Sequence, residues 1–414
     1  MLPMTVARPG SADLPDSRCA ELVAPGRYRR LLPLAVSVLV IGVLTAAAVL
    51  YQVKSWSPVP GQNRSGAADP SAGRPPAGAA APSGDPATVT GAWPSARPVS
   101  TPAKVPDGTT FTPLIYLNVL TAVGTAATPD GTTLRLVVRV GSNAPVELHR
   151  LPAEQSVQFP AFAAAGDELV WAEVTEVQGR TDTQLWRANW RTPALAEPLT
   201  ADTGDIVFFN SQYDLVVVDG RVYWAAVAHS AASATEVRSV PLAGGTVTTR
   251  LVNGGYALSA WPWLVSAAGG AAEPVQLLNL DTGQRVQVSA SPTELVACSP
   301  TWCRAFLLSS IATEAPRIEL MRPDGTQRRP IGADRTSVAL QDVALLDRFE
   351  LVLQDSDASI VVGPRLLLYD LTTGRLLQVA TDVDTVQARG GLLWWSTASS
   401  GTDRWYCLDL RTLG

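Results

Sequence analysis

Two histidines are all that this chain of 414 residues offers for proton transfer or zinc binding. His149 stands in VELHRLPA and His229 in AAVAHSAAS. A zinc centre wants several His or Cys at ligand spacing, and a Ser-His-Asp system wants one His backed by a carboxylate. His229 precedes Ser230 and has only Asp182 or Glu236 to offer as partners, so it reads as a solvated loop histidine. The acidic stretches QDSDAS (354–359) and TDVDT (381–385) are candidates for lining a pore or holding calcium. Neither has the spacing of a dedicated calcium loop, and both read as solvated turns. The sequence has no Gly-rich phosphate loop, nucleophile elbow or metal signature. It therefore assigns no catalytic residue, no cofactor and no metal ligand.

Sulfur and indole groups carry more information. Cys298 and Cys303 flank a tight turn in ACSPTWC, on strands expected to pair. Antiparallel neighbours can bring Cβ atoms to the roughly 3.8 Å that a disulfide needs. Outside a membrane thiols tend to oxidise, so a disulfide is expected, with two buried thiols as the alternative. Cys407 is left over and reads as core. Trp171, Trp224 and Trp394 fall at one repeated strand position, as packing between repeats requires. Trp186 and Trp190, in QLWRANWRTP, have no counterpart and are the candidate surface aromatics for a ligand such as a sugar. Trp93, alone in a Pro/Ala-rich stretch, has no evident role.

These residues must be positioned by elements of very different character. Residues 1–30 form a short tail, too small to hold a core of its own. LLPLAVSVLVIGVLTAAAVLY, Leu31–Tyr51, carries no charge and matches the roughly 20 apolar residues that cross a bilayer. Arg27, Arg29 and Arg30 abut one end, and Tyr51, Lys54 and Trp56 stand at the other, so residues 31–53 are expected to be an uncleaved transmembrane helix. The positive-inside rule puts the N-terminus in the cytoplasm and the rest outside. A cleaved signal peptide would carry a shorter apolar run, of about 7–15 residues. Residues 54–106 are dominated by Pro, Ala, Gly and Ser and read as a disordered linker. Asn63-Arg64-Ser65 matches a glycosylation triplet of the kind common by chance.

Charge divides along the same boundary. Residues 1–106 carry a net charge of about +5 and residues 107–414 about −10. An acidic domain without a basic cluster is a poor nucleic-acid binder, and none is expected as a partner. Lysine occurs only at Lys54 and Lys104, a mark of GC-rich bacterial coding, so the arginine count carries no functional meaning.

Beyond residue 106, short apolar runs recur between turn residues: LRLVVRV (Leu134), ELVWAEV (Glu168), RVYWAAV (Arg221), WPWLVSA (Trp261), WCRAFLL (Trp302), RFELVLQ (Arg348) and LLWWSTA (Leu392). Their starts lie roughly 34 to 53 residues apart, the spacing of four-stranded propeller blades. VQLLNLDTGQRVQV and LLLYDLTTGRLLQV each give strand, turn, strand, whereas the final DRWYCLDLRTLG stops after its turn. The fold class expected is thus all-β: a seven-bladed β-propeller of four-stranded antiparallel blades over residues 107–414. The missing last strand is expected from TTFTPLIYL, Thr109–Leu117, closing the ring.

ATPDGTTLRLVV and FPAFAAAGDELVWAEV resemble the Ser-Pro-Asp-Gly strand entries of TolB-like and WD40-like propellers. That resemblance implies the fold and protein binding, and no particular chemistry. The insert GDIVFFNSQYDLVVVDG lengthens one unit by about ten residues and should lie on a rim, where partners bind. The function expected is a membrane-anchored, extracytoplasmic, non-catalytic scaffold for a protein or envelope ligand. Two alternatives stand beside it: a polymer-acting enzyme of glycosidase or lyase type with carboxylates at the pore, and a sensor or accessory subunit of an envelope complex.

Overall fold

Apolar runs closed by Asx turns fold into seven antiparallel sheets arranged as a seven-bladed propeller. The computed structural model describes residues 86–414 apart from 178–179, 193–194, 230–232, 267–273, 292–293, 308–316, 333–334, 356–362 and 398–403. The expected tail, membrane span and first part of the linker lie outside these residues, as do Ser230 and most of QDSDAS. Among the described residues no helix is long and apolar enough to cross a membrane.

Blades 1 to 6 cover residues 111–152, 158–200, 205–253, 256–287, 294–331 and 336–380, and blade 7 begins at 383. One turn design recurs after third strands. The Asn279 side chain accepts from the N–H groups of Asp281 and Thr282. Asp370 accepts from Thr372 N and Thr373 Oγ1, and Asp409 from Arg411 N. Such local bonds fix the turn before any tertiary packing exists. Gly283 and Gly374 take φ of 72° and 68° at these turns, a conformation open to a residue without Cβ.

No blade can bury both of its faces alone. Each of the seven junctions holds its own apolar cluster, such as Val170 of blade 2 against Trp224 of blade 3. Another joins Leu392 and Trp394 of blade 7 to Phe111 and Val137 of blade 1. The ring is therefore closed by packing as well as by pairing, which removes the exposed sheet ends of an open array.

The closing strand is not Thr109–Leu117. Phe111–Asn118 is the innermost strand of blade 1, and blade 7 is completed by Val99–Pro102, paired antiparallel with Arg404–Asp409. That strand lies inside the expected linker, whose last part is ordered. Ala87 O accepts from Gln378 N on the outermost strand of blade 6. A four-residue helix, Val89–Ala92, follows, capped by Thr88 Oγ1. Val89 and Ala96 are buried between blades 6 and 7, and Trp93 meets Phe349 edge to face with Arg348 beside its ring. The leading segment thus straps blade 6, closes blade 7 and then enters blade 1.

The misplacement has a physical source. The recurring run in blades 2 to 7 is the second strand, but LRLVVRV of blade 1 is the third strand, Thr133–Val140. The true second strand, Thr121–Ala127, starts 47 residues before Glu168, in step with the other blades. It reads TAVGTAA because it underlies the Phe111 ring: a Cβ on Gly124 would come within 2.8 Å of that ring and 2.2 Å of Thr112 O. The tryptophan register is also corrected. Glu168, Arg221 and Leu392 each pair with the last residue of their inner strand, which makes Trp395 the counterpart of Trp171 and Trp224. Trp395 faces blade 6 and Trp394 faces blade 1, and both are buried.

Strand direction assigns every connection to a rim. The first-to-second and third-to-fourth turns share one rim; the second-to-third hairpins and the blade-to-blade crossings share the other, here called the crossover rim.

Candidate functional site

Blade 2 presents a ladder of cross-strand pairs to blade 1. In Glu168–Val177, every second residue faces that way: Trp171, Glu173 and Thr175. Their partners on the neighbouring strand are Trp186, Gln184 and Asp182. The opposite wall is Leu151 of blade 1 and Gln155 of the crossing that follows it, and together they enclose a cleft of about 200 Å³ at the crossover rim. Exposure grades outward from Trp171, wholly buried, through half-buried Gln184 and Trp186 to exposed Asp182.

Two bulges shape this cleft. In the outer strand of blade 1, Leu136 opposes His149 while Val137 opposes Glu147, so Leu148 is an inserted residue. The half-step puts His149 on the side of Leu136, which packs toward blade 2. Its ring lies against Trp186, centroids 4.4 Å apart. In the inner strand of blade 2, Gln158 pairs with Val174 and Ala161 with Ala172, so Phe159 and Pro160 together oppose Glu173. Pro160 has no N–H to give, which suits an irregular ladder there.

Glu173 is 4% exposed, and its Oε1 stands 3.4 Å from His149 Nε2. Neither His149 Nε2 nor Glu173 Oε2 has a hydrogen-bond partner, and the indole N–H of Trp171 in the same cluster also lacks one. Buried polar groups are nearly always paired, so this cluster stands out, and of its three residues Glu173 is the one that borders the cleft.

A second polar cluster lies in the central channel. The inner strand of blade 3 is split into Asp205–Ile206 and Val216–Val218, both paired with Arg221–Val227. The intervening residues leave the sheet and reach blades 6 and 7. Ser211 Oγ donates to Asp342 Oδ1 at 2.6 Å, and Gln212 N donates to Oδ2 at 3.0 Å. From blade 7, Arg389 Nη2 donates to Ser211 O and Gly390 N to Gln212 Oε1. Asp214 accepts from Phe209 N and Ser211 N. Beside them Arg304 pairs with Glu350 at 2.6 Å and donates to Asp342 O, while Glu350 Oε2 accepts from Ala344 N. Burial pushes Asp214 up to about 6 and raises Asp342 and Glu350, and it lowers Arg389. Every oxygen of these three carboxylates accepts a bond, so the cluster is a clasp across the ring and not an acid–base pair with free oxygens.

The residues singled out by sequence take separate places. Trp186 walls the cleft. Trp190 lies four residues further on, in the turn just past the end of that strand and toward the other rim, where its N–H donates to Gly166 O and Arg191 covers its ring. Cys298 and Cys303 are joined by a disulfide across paired strands, and Cys407 is buried and free. His229 is exposed and lies 3.0 Å from Asp205 Oδ2. Asp382 accepts from Gly363 N in a turn between blades 6 and 7. No metal-type cluster of His, Cys, Asp and Glu occurs among the described residues. Glu173 and Gln184 escaped the sequence reading, and Asp182 entered it only as a partner offered to His229, which instead lies beside Asp205. Their signal was there: polar residues at every second position, in phase with a core tryptophan.

No family model and no curated protein matches the chain. Several solved structures are similar to it. The acylaminoacyl peptidase of Pyrococcus horikoshii aligns at 7% identity and a TM-score of 0.40, over 58% of this chain and 42% of that one. The β-propeller domain of the Trilobed protease from Pyrococcus furiosus aligns at 6% and 0.39, over 59% and 80%. A protein assigned as TolB from Agrobacterium tumefaciens aligns at 16% and 0.35, over 54% and 81%. The chain thus spans under half the length of the first of these. At such identities the likeness concerns fold alone.

Proposed function

We propose that this chain is a membrane-tethered, extracytoplasmic binding module whose propeller holds an envelope ligand or protein partner without turning it over. The uncharged run Leu31–Tyr51 behind three arginines supports the tether. The disulfide Cys298–Cys303 fits an oxidising side of the membrane. One observation carries the binding role. The carboxylates of the central channel are consumed by the clasp, whereas Glu173 in the inter-blade cleft keeps an unpartnered oxygen.

Two measurements test this reading. Protease added to intact spheroplasts should degrade the propeller; full protection would remove the extracytoplasmic placement. Tagged full chain retrieved from crosslinked envelopes should bring down a reproducible partner or ligand. Recovery no better than from an untagged strain would remove the binding role.

A second reading, a polymer-acting enzyme, is favoured by one feature: Glu173 and Asp182 share a cleft with an aromatic wall, as two carboxylates flank a scissile glycosidic bond. New reducing ends released from an envelope polysaccharide by the chain, and lost in Glu173→Gln, would select this reading.

A further inference from the structure

The geometry points to the cleft between blades 1 and 2 as a receptor for a small organic cation, an ammonium or guanidinium on a short aliphatic stem. This rests on the proposed binding role and specifies its ligand chemistry.

The cleft has the parts such a ligand needs. At its inner end Glu173, more than nine-tenths buried, borders the cavity, and its carboxylate has an oxygen without a hydrogen-bond partner. An ionised carboxylate only accepts hydrogen bonds, and a buried one is costly until a cation meets it. Its nearest ionic neighbour, His149, stands off at 3.4 Å and reaches Oε1 alone. At the mouth Asp182 adds a second negative charge, exposed to solvent, that attracts a cation into the cleft. Between the two, the Thr175 hydroxyl and the Gln184 amide offer further acceptors. The Trp186 ring and Leu151 supply an apolar wall, and an aromatic face also attracts cations. Among the described residues no arginine or lysine lines the cavity. A neutral sugar would match the aromatic wall, but it would leave the buried Glu173 charge uncompensated. A cavity of about 200 Å³ suits a ligand the size of one basic side chain.

The test uses the purified full chain in detergent and agmatine as probe, with butanol as a neutral control of similar stem, both followed by titration calorimetry. Agmatine should bind saturably and butanol should not. Glu173→Gln, which keeps size and removes charge, should weaken agmatine at least tenfold, and Asp182→Asn severalfold. Because the Asp182 side chain is exposed, that variant keeps the test informative if Glu173→Gln fails to fold. Absence of binding up to about 10 mM agmatine, or equal affinity in wild type and both variants, overturns the inference. So does binding of an arginine-bearing tetrapeptide where agmatine fails, since that would make the ligand a protein segment. A chain that still retrieves an envelope partner while ignoring agmatine refutes this inference and leaves the broader binding role standing.

Discussion

Arg304 and Glu350 lie 2.6 Å apart with almost no exposure, one from blade 5 and one from blade 6. Removing one member of such a pair leaves the other charged in an apolar setting, which costs more than the pair contributes. Arg304→Met should lower unfolding free energy by about 3–5 kcal/mol, and adding Glu350→Gln should return part of that loss. Denaturant titration of both variants checks it; a double variant no better than Arg304→Met would show that packing, not charge, matters there. Asp214 makes a separate prediction in pH. Its folded value of about 6 lies above the ordinary 3.8, chiefly through burial, so the folded protein keeps this proton longer than the unfolded chain does. The resulting stabilisation is complete below about pH 4, declines between about pH 4 and 6, and is absent above. Asp214→Asn holds the neutral form at every pH and should flatten the decline by on the order of 3 kcal/mol across that window. Parallel stability curves for wild type and variant would refute the assignment.

Among the elements, the strand that closes the ring has almost no side-chain signature. Val99–Pro102 contributes mainly backbone N–H and C=O groups to its partner, and only Thr101 in it is buried. Composition therefore merges it with the Pro/Ala-rich stretch before it. The blade period was legible because Trp171 and Trp224 recur on one face, as was the disulfide hairpin because its cysteines flank a turn. The phase of blade 1 was hidden because Gly124 and its alanines make room for Phe111, leaving a strand with little hydrophobic contrast. The cleft was hidden for another reason: Glu173 becomes notable only when the bulge at Leu148 brings His149 opposite, and a bulge has no sequence mark there. Deleting the chain through Pro102 removes Val89 and Ala96 from the junction of blades 6 and 7 along with the strand. That truncation should cost on the order of 3 kcal/mol in thermal or denaturant unfolding. An unchanged midpoint would mean that the strap does not hold the ring. For the disulfide, trypsin should release residues 286–304 as one fragment containing both cysteines, lighter by two hydrogens until reductant is added. Cys298→Ser with Cys303→Ser should cost no more than about 2 kcal/mol, since the loop it closes is short and already paired.

At the scale of the whole molecule, a ring of blades is a one-dimensional array bent on itself. In such arrays stability is a sum of unit terms and nearest-neighbour terms, and cooperativity weakens when neighbours are the only partners. The excursion from blade 3 changes this, because Ser211 and Gln212 bond to Asp342 of blade 6 and to Arg389 and Gly390 of blade 7. Opposite sides of the ring then share one buried network, so loosening one side leaves polar groups unpaired on the other. Wild type should accordingly unfold in a single transition, with tryptophan fluorescence and far-ultraviolet circular dichroism superimposing. Replacing residues 207–215 by a short Gly/Ser turn joins the two halves of the inner strand and cuts the cross-ring bonds while leaving all seven junction clusters without a deleted member except Leu215 and partly buried Phe208 and Tyr213. That variant should separate the two probes and lower the apparent m-value. A control variant, Leu215→Ala with the excursion intact, should lower the midpoint and keep the probes coincident. If the turn variant stayed coincident too, nearest-neighbour packing alone would account for the cooperativity, and the clasp would have to be read as a plug of the channel without a coupling role.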